Sequence, residues 1–196
     1  YELAFIVQDG LRRMYQDQED VFYYITVMNE NYAHPELPKD AEEGIVRGMY
    51  QLPNPKTKLK KAPKVQLLGS GTILLEVIAA QALLASDFGV IAQVWSCTSF
   101  NELRRDGIST SRWNMLHPEE KPKQSYVEEC LADSKGPVIA ATDYMKSYAD
   151  QVREFVPRTY NVLGTDGFGR SDTRARLRNF FEVDRHYIAV AALSAL

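Results

Sequence analysis

The chain has 196 residues, of which 45% are hydrophobic and 25% are charged, a composition typical of globular domains. Its formal net charge of −3 argues against a nucleic-acid partner. Two cysteines give no disulfide framework and fit the reducing cytoplasm, and the longest apolar run, residues 73–85, is too short to span a bilayer. We therefore expect a cytoplasmic protein with no membrane-spanning segment.

The first part of the chain predicts a helix, a strand, a polar loop and a second helix. Apolar residues recur at helical spacing from the start of the chain, at Leu3, Ile6, Val7, Leu11 and Met14. Residues 21–27 (VFYYITV) are β-branched or aromatic almost without a break, which predicts a strand buried on both faces. The second helix is expected at residues 41–51. Because the chain begins with tyrosine and enters a helix at once, we expect a fragment of a longer protein.

The loop after this strand is dense in polar and ionisable side chains. It carries Asn29, Glu30, Asn31, Tyr32 and His34. Ligands of open α/β sheets bind beyond the carboxyl ends of strands, so this loop is the first candidate site. His34, with the Glu30 carboxylate close by in sequence, is a candidate general acid/base or hydrogen-bond donor to substrate.

The remainder of the chain changes character at residue 53. Residues 53–64 hold three prolines and five lysines without apolar periodicity, which predicts a linker, or alternatively a contact with an acidic partner. Strands are then predicted at 65–69, 90–97, 137–142 and 160–164, helices at 73–86, 101–105, 125–132, 145–156, 172–181 and 185–196, and an irregular stretch from 106 to 123. This alternation predicts an α/β fold, a mostly parallel sheet with helices on both faces.

Two glycine-containing turns invite a functional interpretation. Gly69-Ser70-Gly71 resembles the start of a phosphate-binding turn, but Leu74 occupies the third glycine position, which favours a plain strand-to-helix turn. No phosphate-loop motif occurs, and no Cys and His spacing indicates a metal site.

The second turn, residues 164–172 (GTDGFGRSD), lies between a strand and a helix. One interpretation is a structured turn in which Ser171 or Asp172 caps the helix. The alternative is an anion or interface contact, with Arg170 and Asp166 as the candidate residues.

Several strings combine into a family resemblance. They are YYIT-x-x-NENY, AEEGI, VQLLGSG, TSF-x-EL-x-RDG, RWNMLHP, ATDYMK, VLGTDGFGRSD, FEVD and AAL. In this order they resemble the C-terminal part of the homodimeric bacterial pyruvate dehydrogenase decarboxylase subunits, which belong to the transketolase-like thiamine diphosphate enzymes. The resemblance covers almost the whole chain.

The resemblance implies oxidative decarboxylation of pyruvate with thiamine diphosphate and Mg²⁺, followed by acetyl transfer to the lipoyl group of the acetyltransferase core. It also implies a homodimer. The family's GDG diphosphate and metal motif is absent from these 196 residues, so we expect the cofactor to be bound mainly elsewhere and this segment alone to be inactive.

The resemblance also assigns the polar loop. In the family a histidine directly follows NENY and contacts substrate, whereas here Ala33 holds that position and His34 comes next. The implied catalytic residues are therefore His34 and Glu30, and the implied substrate-binding residues are Asn29 and Tyr32.

The resemblance divides the chain into the end of a pyrimidine-binding middle domain (1–52), a linker (53–64) and a transketolase-like C-terminal domain (65–196). Two alternatives stay open. The chain is a dimerisation and docking module without catalytic groups, or it belongs to a related enzyme that acts on another 2-oxo acid.

Overall fold

The computed structural model describes residues 1–29, 31–55 and 61–196. Within these ranges five strands form one sheet in the order β1-β3-β2-β4-β5. The strands are β1 (Tyr50–Gln51), β2 (Lys64–Gly69), β3 (Ile91–Ser96), β4 (Val138–Ala141) and β5 (Tyr160–Leu163). All neighbouring pairs are parallel except β1 and β3, which are antiparallel. The predicted mostly parallel sheet is confirmed.

Eight α-helices are formed by the described residues. They are α1 (Glu2–Leu11), α2 (Glu42–Arg47), α3 (Ile73–Asp87), α4 (Phe100–Leu116), α5 (Tyr126–Leu131), α6 (Lys146–Asp150), α7 (Arg174–Phe180) and α8 (Arg185–Ala195). A π-helical turn extends α1 over Arg12–Gln16, and a 3₁₀ turn occupies Arg153–Phe155. No helix in the described ranges has the length and apolar character needed to cross a membrane.

The sheet separates two apolar cores, because successive side chains of a strand point to opposite faces. Val65 and Leu67 of β2 pack on the face covered by α3 and α8. Leu68 packs on the other face, where α4, α5 and the 3₁₀ turn contribute residues such as Phe100 and Phe155. Helices therefore cover both faces, as the alternating sequence pattern predicts.

A buried amide lies within the second core. Gln66 is fully buried in β2 and donates its Nε2 to Gln93 Oε1 over 2.7 Å and to the Lys135 carbonyl over 3.0 Å. Its Oε1 accepts a hydrogen bond of 2.9 Å from Trp95 Nε1. The amide is thus satisfied on both ends, which offsets the free-energy cost of burying it.

Helix α1 is attached to the sheet through its first turn. Glu2 Oε1 accepts hydrogen bonds from Tyr50 OH (2.7 Å) and from Ser96 Oγ (2.6 Å). Tyr1 OH lies 2.9 Å from Tyr50 OH. Burial, together with the neighbouring Tyr1 and the Glu2 carboxylate, raises the pKa of Tyr50 well above its ordinary value. These bonds join the first residues of the chain to the carboxyl end of β3.

The prediction of a buried strand at residues 21–27 is wrong. Residues 21–28 are all described, and they form no strand. Phe22 is 87% exposed, Tyr24 88% and Val27 70%. An extended apolar segment becomes a buried strand only where neighbouring strands accept its backbone hydrogen bonds, and the described part of the chain supplies none beside it.

Three helix predictions are also corrected. The short helix at 101–105 continues to Leu116 as α4, where Gly107 makes room for Phe155: a Cβ at position 107 would lie 2.4 Å from the Phe155 ring. The expected helix at 41–51 ends at Arg47 because Gly48 adopts a φ of 108°. The helix at 145–156 stops at Asp150 and resumes as the 3₁₀ turn.

The predicted linker is only partly described, since residues 56–60 lie outside the described ranges. Leu52, just before it, still donates its backbone N–H to the Val94 carbonyl over 2.9 Å. Helix α2 packs into the first core through Ile45, which is 1% exposed. The division into these three segments remains a prediction.

Candidate functional site

The polar loop contacts a distant helix through its first residue, Asn29. Asn29, Asn31 and His34 are exposed, and Tyr32 is half-buried. Asn29 Oδ1 accepts a hydrogen bond of 2.9 Å from Arg174 Nη2, at the first position of α7. Glu30, one of the two predicted catalytic residues, lies outside the described residues.

Helix α7 is anchored by a second arginine on the same face. Arg178 follows Arg174 by four residues, so both side chains project from neighbouring positions. Arg178 Nη1 donates to Glu76 Oε1 over 3.2 Å. Glu76 stands in the first turn of α3, directly after the carboxyl end of β2. The contact therefore connects α7 to the edge of the sheet where ligands of α/β folds bind.

Glu76 is a buried carboxylate bound by two arginines. It is 7% exposed and accepts hydrogen bonds from Arg185 Nε (2.9 Å), Arg185 Nη2 (3.2 Å) and the Arg185 backbone N–H (3.1 Å). Burial by itself raises the pKa of Glu76, but the hydrogen bonds from Arg185 and the charges of Arg185 and Arg178 lower it overall. The carboxylate holds α3, α7 and α8 together.

The carboxyl ends of β2 and β4 form the topological switch point of the sheet. The chain passes from β2 to β3 on one side and to β4 on the other. Ser70 Oγ donates to Thr142 Oγ1 over 2.9 Å between the two strand ends. Asp143 follows, and desolvation raises the pKa of its carboxyl in spite of the nearby Arg178 charge.

The sequence interpretation of this edge considered Ser70 but missed Thr142 and Asp143. The available signal was the polar pair Thr142-Asp143 directly after an apolar strand. The Gly69-Ser70-Gly71 turn also has a packing role, because a Cβ at Gly69 would lie 2.9 Å from Leu74 Cα. Close approach of strand and helix accounts for this glycine.

The GTDGFGRSD turn packs against the N-terminus of α6. Lys146 donates its backbone N–H to Asp166 Oδ1 over 2.9 Å, and the Thr165 N–H donates to the Tyr144 carbonyl over 2.8 Å. The guanidinium of Arg170 stands 4.9 Å from the centre of the Phe180 ring. Thr173, rather than the predicted Ser171 or Asp172, holds the N-cap position of α7. The interface role of Asp166 and Arg170 remains a prediction.

Three further side chains that could take part in chemistry, Cys97, His117 and His186, lie outside the polar loop. Cys97 is fully buried, and desolvation raises the pKa of its thiol far above the range in which a thiolate forms. His117 stacks on Trp113 with ring centres 4.3 Å apart and bonds to the Trp113 carbonyl. His186 is exposed beside Asp184. Among the described residues no group of three or more His, Cys, Asp or Glu side chains could hold a metal ion.

The parallel sheet with its polar switch point belongs to a known class of domain. Residues 48–184 match the family described as the transketolase-like TK C-terminal domain, and the chain belongs to this family. Residues 1–35 match the description "Pyruvate dehydrogenase E1 component middle domain". A transketolase structure from Pichia stipitis superposes with a TM-score of 0.53 at 19% identity, covering 82% of this chain and 20% of that one, and supports the fold.

Two curated relatives show a more specific similarity, to one kind of enzyme subunit. The chain is 64% identical over its whole length to the pyruvate dehydrogenase E1 component of Pseudomonas aeruginosa. It is 54% identical to the E1 component of Escherichia coli K12, again over its whole length. In both cases it spans 22% of the relative. The predicted resemblance to bacterial pyruvate dehydrogenase subunits is confirmed.

Proposed function

We propose that this chain is the C-terminal part of a bacterial pyruvate dehydrogenase subunit that decarboxylates pyruvate and passes the acetyl unit to the lipoyl group of an acetyltransferase core. The observation that carries the proposal is the 64% identity over the full chain to an E1 component. The two matching family descriptions, in the order middle domain then C-terminal domain, support it. A homodimer in the cytoplasm is part of the same proposal.

The proposed activity involves thiamine diphosphate and Mg²⁺, which supply carbanion stabilisation in such enzymes. The sequence of this chain lacks the GDG diphosphate and metal motif that the family resemblance implies. We therefore assign cofactor binding to other parts of the subunit. The domain division is part of the same proposal and rests on the family resemblance: a middle-domain end at 1–52, a linker at 53–64 and the C-terminal domain at 65–196.

Within this chain, the polar loop is the proposed substrate contact. His34 and Glu30 are assigned as catalytic residues, because an imidazole and a carboxylate can hold or move a proton at a substrate oxygen near neutral pH. Asn29 and Tyr32 are assigned to substrate binding, since an amide and a phenol can donate hydrogen bonds to a 2-oxo acid. The exposure of Asn29 and His34 leaves their side chains accessible to a substrate.

The test uses the full-length subunit reconstituted with its cofactor and core. Replacing His34→Ala is expected to lower kcat/KM for pyruvate by about 100-fold or more, the usual contribution of acid–base groups. His186→Ala is the matched control, because that histidine side chain is 71% exposed on α8. Unchanged kinetics in the His34 variant would remove this residue from the site.

Substrate identity needs a separate comparison. A panel of pyruvate, 2-oxobutyrate and 2-oxoglutarate, assayed with the full-length subunit, is expected to give the highest kcat/KM with pyruvate. A preference for another 2-oxo acid would favour the related-enzyme alternative.

A dimerisation and docking module is the second candidate function. The observation in its favour is an apolar surface beside Arg170, where Phe168 is 93% exposed and Phe180 is 56% exposed. Exposed aromatic and arginine side chains are typical of protein interfaces. Sedimentation of the full-length subunit carrying Phe168→Asp and Arg170→Glu tests this function, and a shift from dimer to monomer would support it.

A further inference from the structure

A hydrogen bond joins the polar loop to a residue 145 positions further along the chain. Arg174 Nη2 donates to Asn29 Oδ1 over 2.9 Å. We infer that Arg174 is a positioning residue, which holds Asn29, at the start of the polar loop, against α7 in the arrangement that binds substrate. The inference rests on the proposed function, because it takes this loop as the substrate contact.

The donor projects from an anchored helix. Arg178, four residues after Arg174, is tied to Glu76 of α3, whose side chain is 9% exposed. Glu76 is held in turn by Arg185 of α8. The ion pairs among Arg178, Glu76 and Arg185 join α7, α3 and α8. They therefore fix Arg174, the first residue of α7, relative to the sheet. A loop that bonds to this residue takes its position from the C-terminal domain.

The acceptor belongs to a segment that needs such support. Residues 21–28, which lead into the loop, form no strand, and both Asn29 and Asn31 are exposed. Exposed segments with few buried contacts open at low free-energy cost. A hydrogen bond from a charged donor restricts that motion more than a neutral one does. Arg174 thus raises the fraction of molecules in which the loop is competent.

This arrangement predicts a specific kinetic signature. When the competent fraction falls, the apparent dissociation constant rises by the reciprocal of that fraction. Bound substrate restores the competent loop, so the rate at saturation changes little. Loss of the Arg174 contact is therefore expected to raise KM while leaving kcat nearly constant.

Arg176 provides the matched control on the same helix. Its side chain is 78% exposed, and its guanidinium lies 3.8 Å from Asp172 of the preceding turn. Replacing it removes the same charge and a similar surface area without touching the Asn29 contact. Arg174→Ala and Arg176→Ala should therefore both fold, with similar melting temperatures.

The experiment compares these variants in the full-length subunit by two measurements. Backbone hydrogen exchange at residues 29–34, without substrate, is expected to accelerate about 5- to 10-fold in Arg174→Ala and to stay unchanged in Arg176→Ala. KM for pyruvate is expected to rise by a similar factor in Arg174→Ala, with kcat within about two-fold. Adding Asn29→Ala to Arg174→Ala should give a smaller change in KM than the product of the single effects.

The outcomes separate the inference from the proposed function. Unchanged loop exchange in Arg174→Ala, or single effects that multiply independently with Asn29→Ala, would overturn the positioning role. Faster exchange with an unchanged KM would keep Arg174 as the residue that holds the loop and would contradict the loop's proposed contact with substrate.

Discussion

Residues 21–27 and β2 are both strongly apolar, yet the structure treats them in opposite ways. In β2, Val65, Leu67 and Leu68 are fully buried between two layers of helices. In the earlier segment, Phe22 and Tyr24 are almost fully exposed. The two stretches differ in their neighbours: β2 lies between β3 and β4, whereas residues 21–28 pair with no strand in the described chain. Burial depends on backbone partners that a local sequence does not contain.

The largest loss of stability is expected from a substitution in β2, the central strand of the sheet. Leu67→Ala should lower the free energy of unfolding of this chain by about 3–5 kcal/mol, because it removes buried methyl groups and leaves a cavity. Urea unfolding followed by circular dichroism measures the change. A loss below 1 kcal/mol would mean that β2 is not the centre of the core.

The second-largest loss of stability is expected from replacing Glu76, whose carboxylate joins α3, α7 and α8. Glu76→Ala should lower the free energy of unfolding by about 2–4 kcal/mol, because Arg178 loses a partner in a largely buried position. Glu119→Ala, at an exposed position, serves as the control and should change it by less than about 0.5 kcal/mol. Equal effects of the two substitutions would contradict the anchoring role.

The same carboxylate predicts a pH dependence. The folded pKa of Glu76 is lowered from 4.5, so its ion pairs stabilise the fold above that pH and are lost as the pH falls through the lower folded value. The stability difference between the parent chain and Glu76→Gln should therefore shrink as the pH falls below about 4.5. Urea midpoints across this range measure it, and a constant difference would contradict the assignment.

The smallest change in stability is expected from a substitution in the exposed segment, residues 21–27. Tyr24→Ala should change the free energy of unfolding of this chain by less than about 0.5 kcal/mol, because its side chain lies in solvent. Urea unfolding of this chain followed by circular dichroism measures the change. A loss above about 1 kcal/mol would contradict the exposed position of the Tyr24 side chain.

Sequence reasoning predicted the fold well where strands and helices alternate. The apolar run that became α3 and the strand at Val65 carry local signals, namely continuous hydrophobicity with a glycine turn between them. The predicted helix at 101–105 is shorter than α4, because Gly107 and the following Ser109, Thr110 and Ser111 have weak helix propensity. In the structure, the packing of Leu103 and Gly107 overrides this weak propensity.

The candidate site was less accessible to sequence reasoning. The polar loop stood out by composition, but its contact with Arg174 depends on how two segments 145 residues apart meet in space. The polar switch point at Ser70 and Thr142 depends in the same way on strand order, since β2 and β4 are neighbours although β3 lies between them in the chain. Strand order follows from the whole set of packed elements.

The buried Gln66 amide has a consequence for how the sheet assembles. A shift of β2 by one residue against β3 would turn this side chain to the opposite face and separate it from Gln93 and Trp95. The alternative alignment would leave an unsatisfied amide in an apolar layer, which costs about 1–3 kcal/mol. Leucine at this position would pack comparably in either alignment. The amide therefore selects one alignment of the central strands over its nearest competitor.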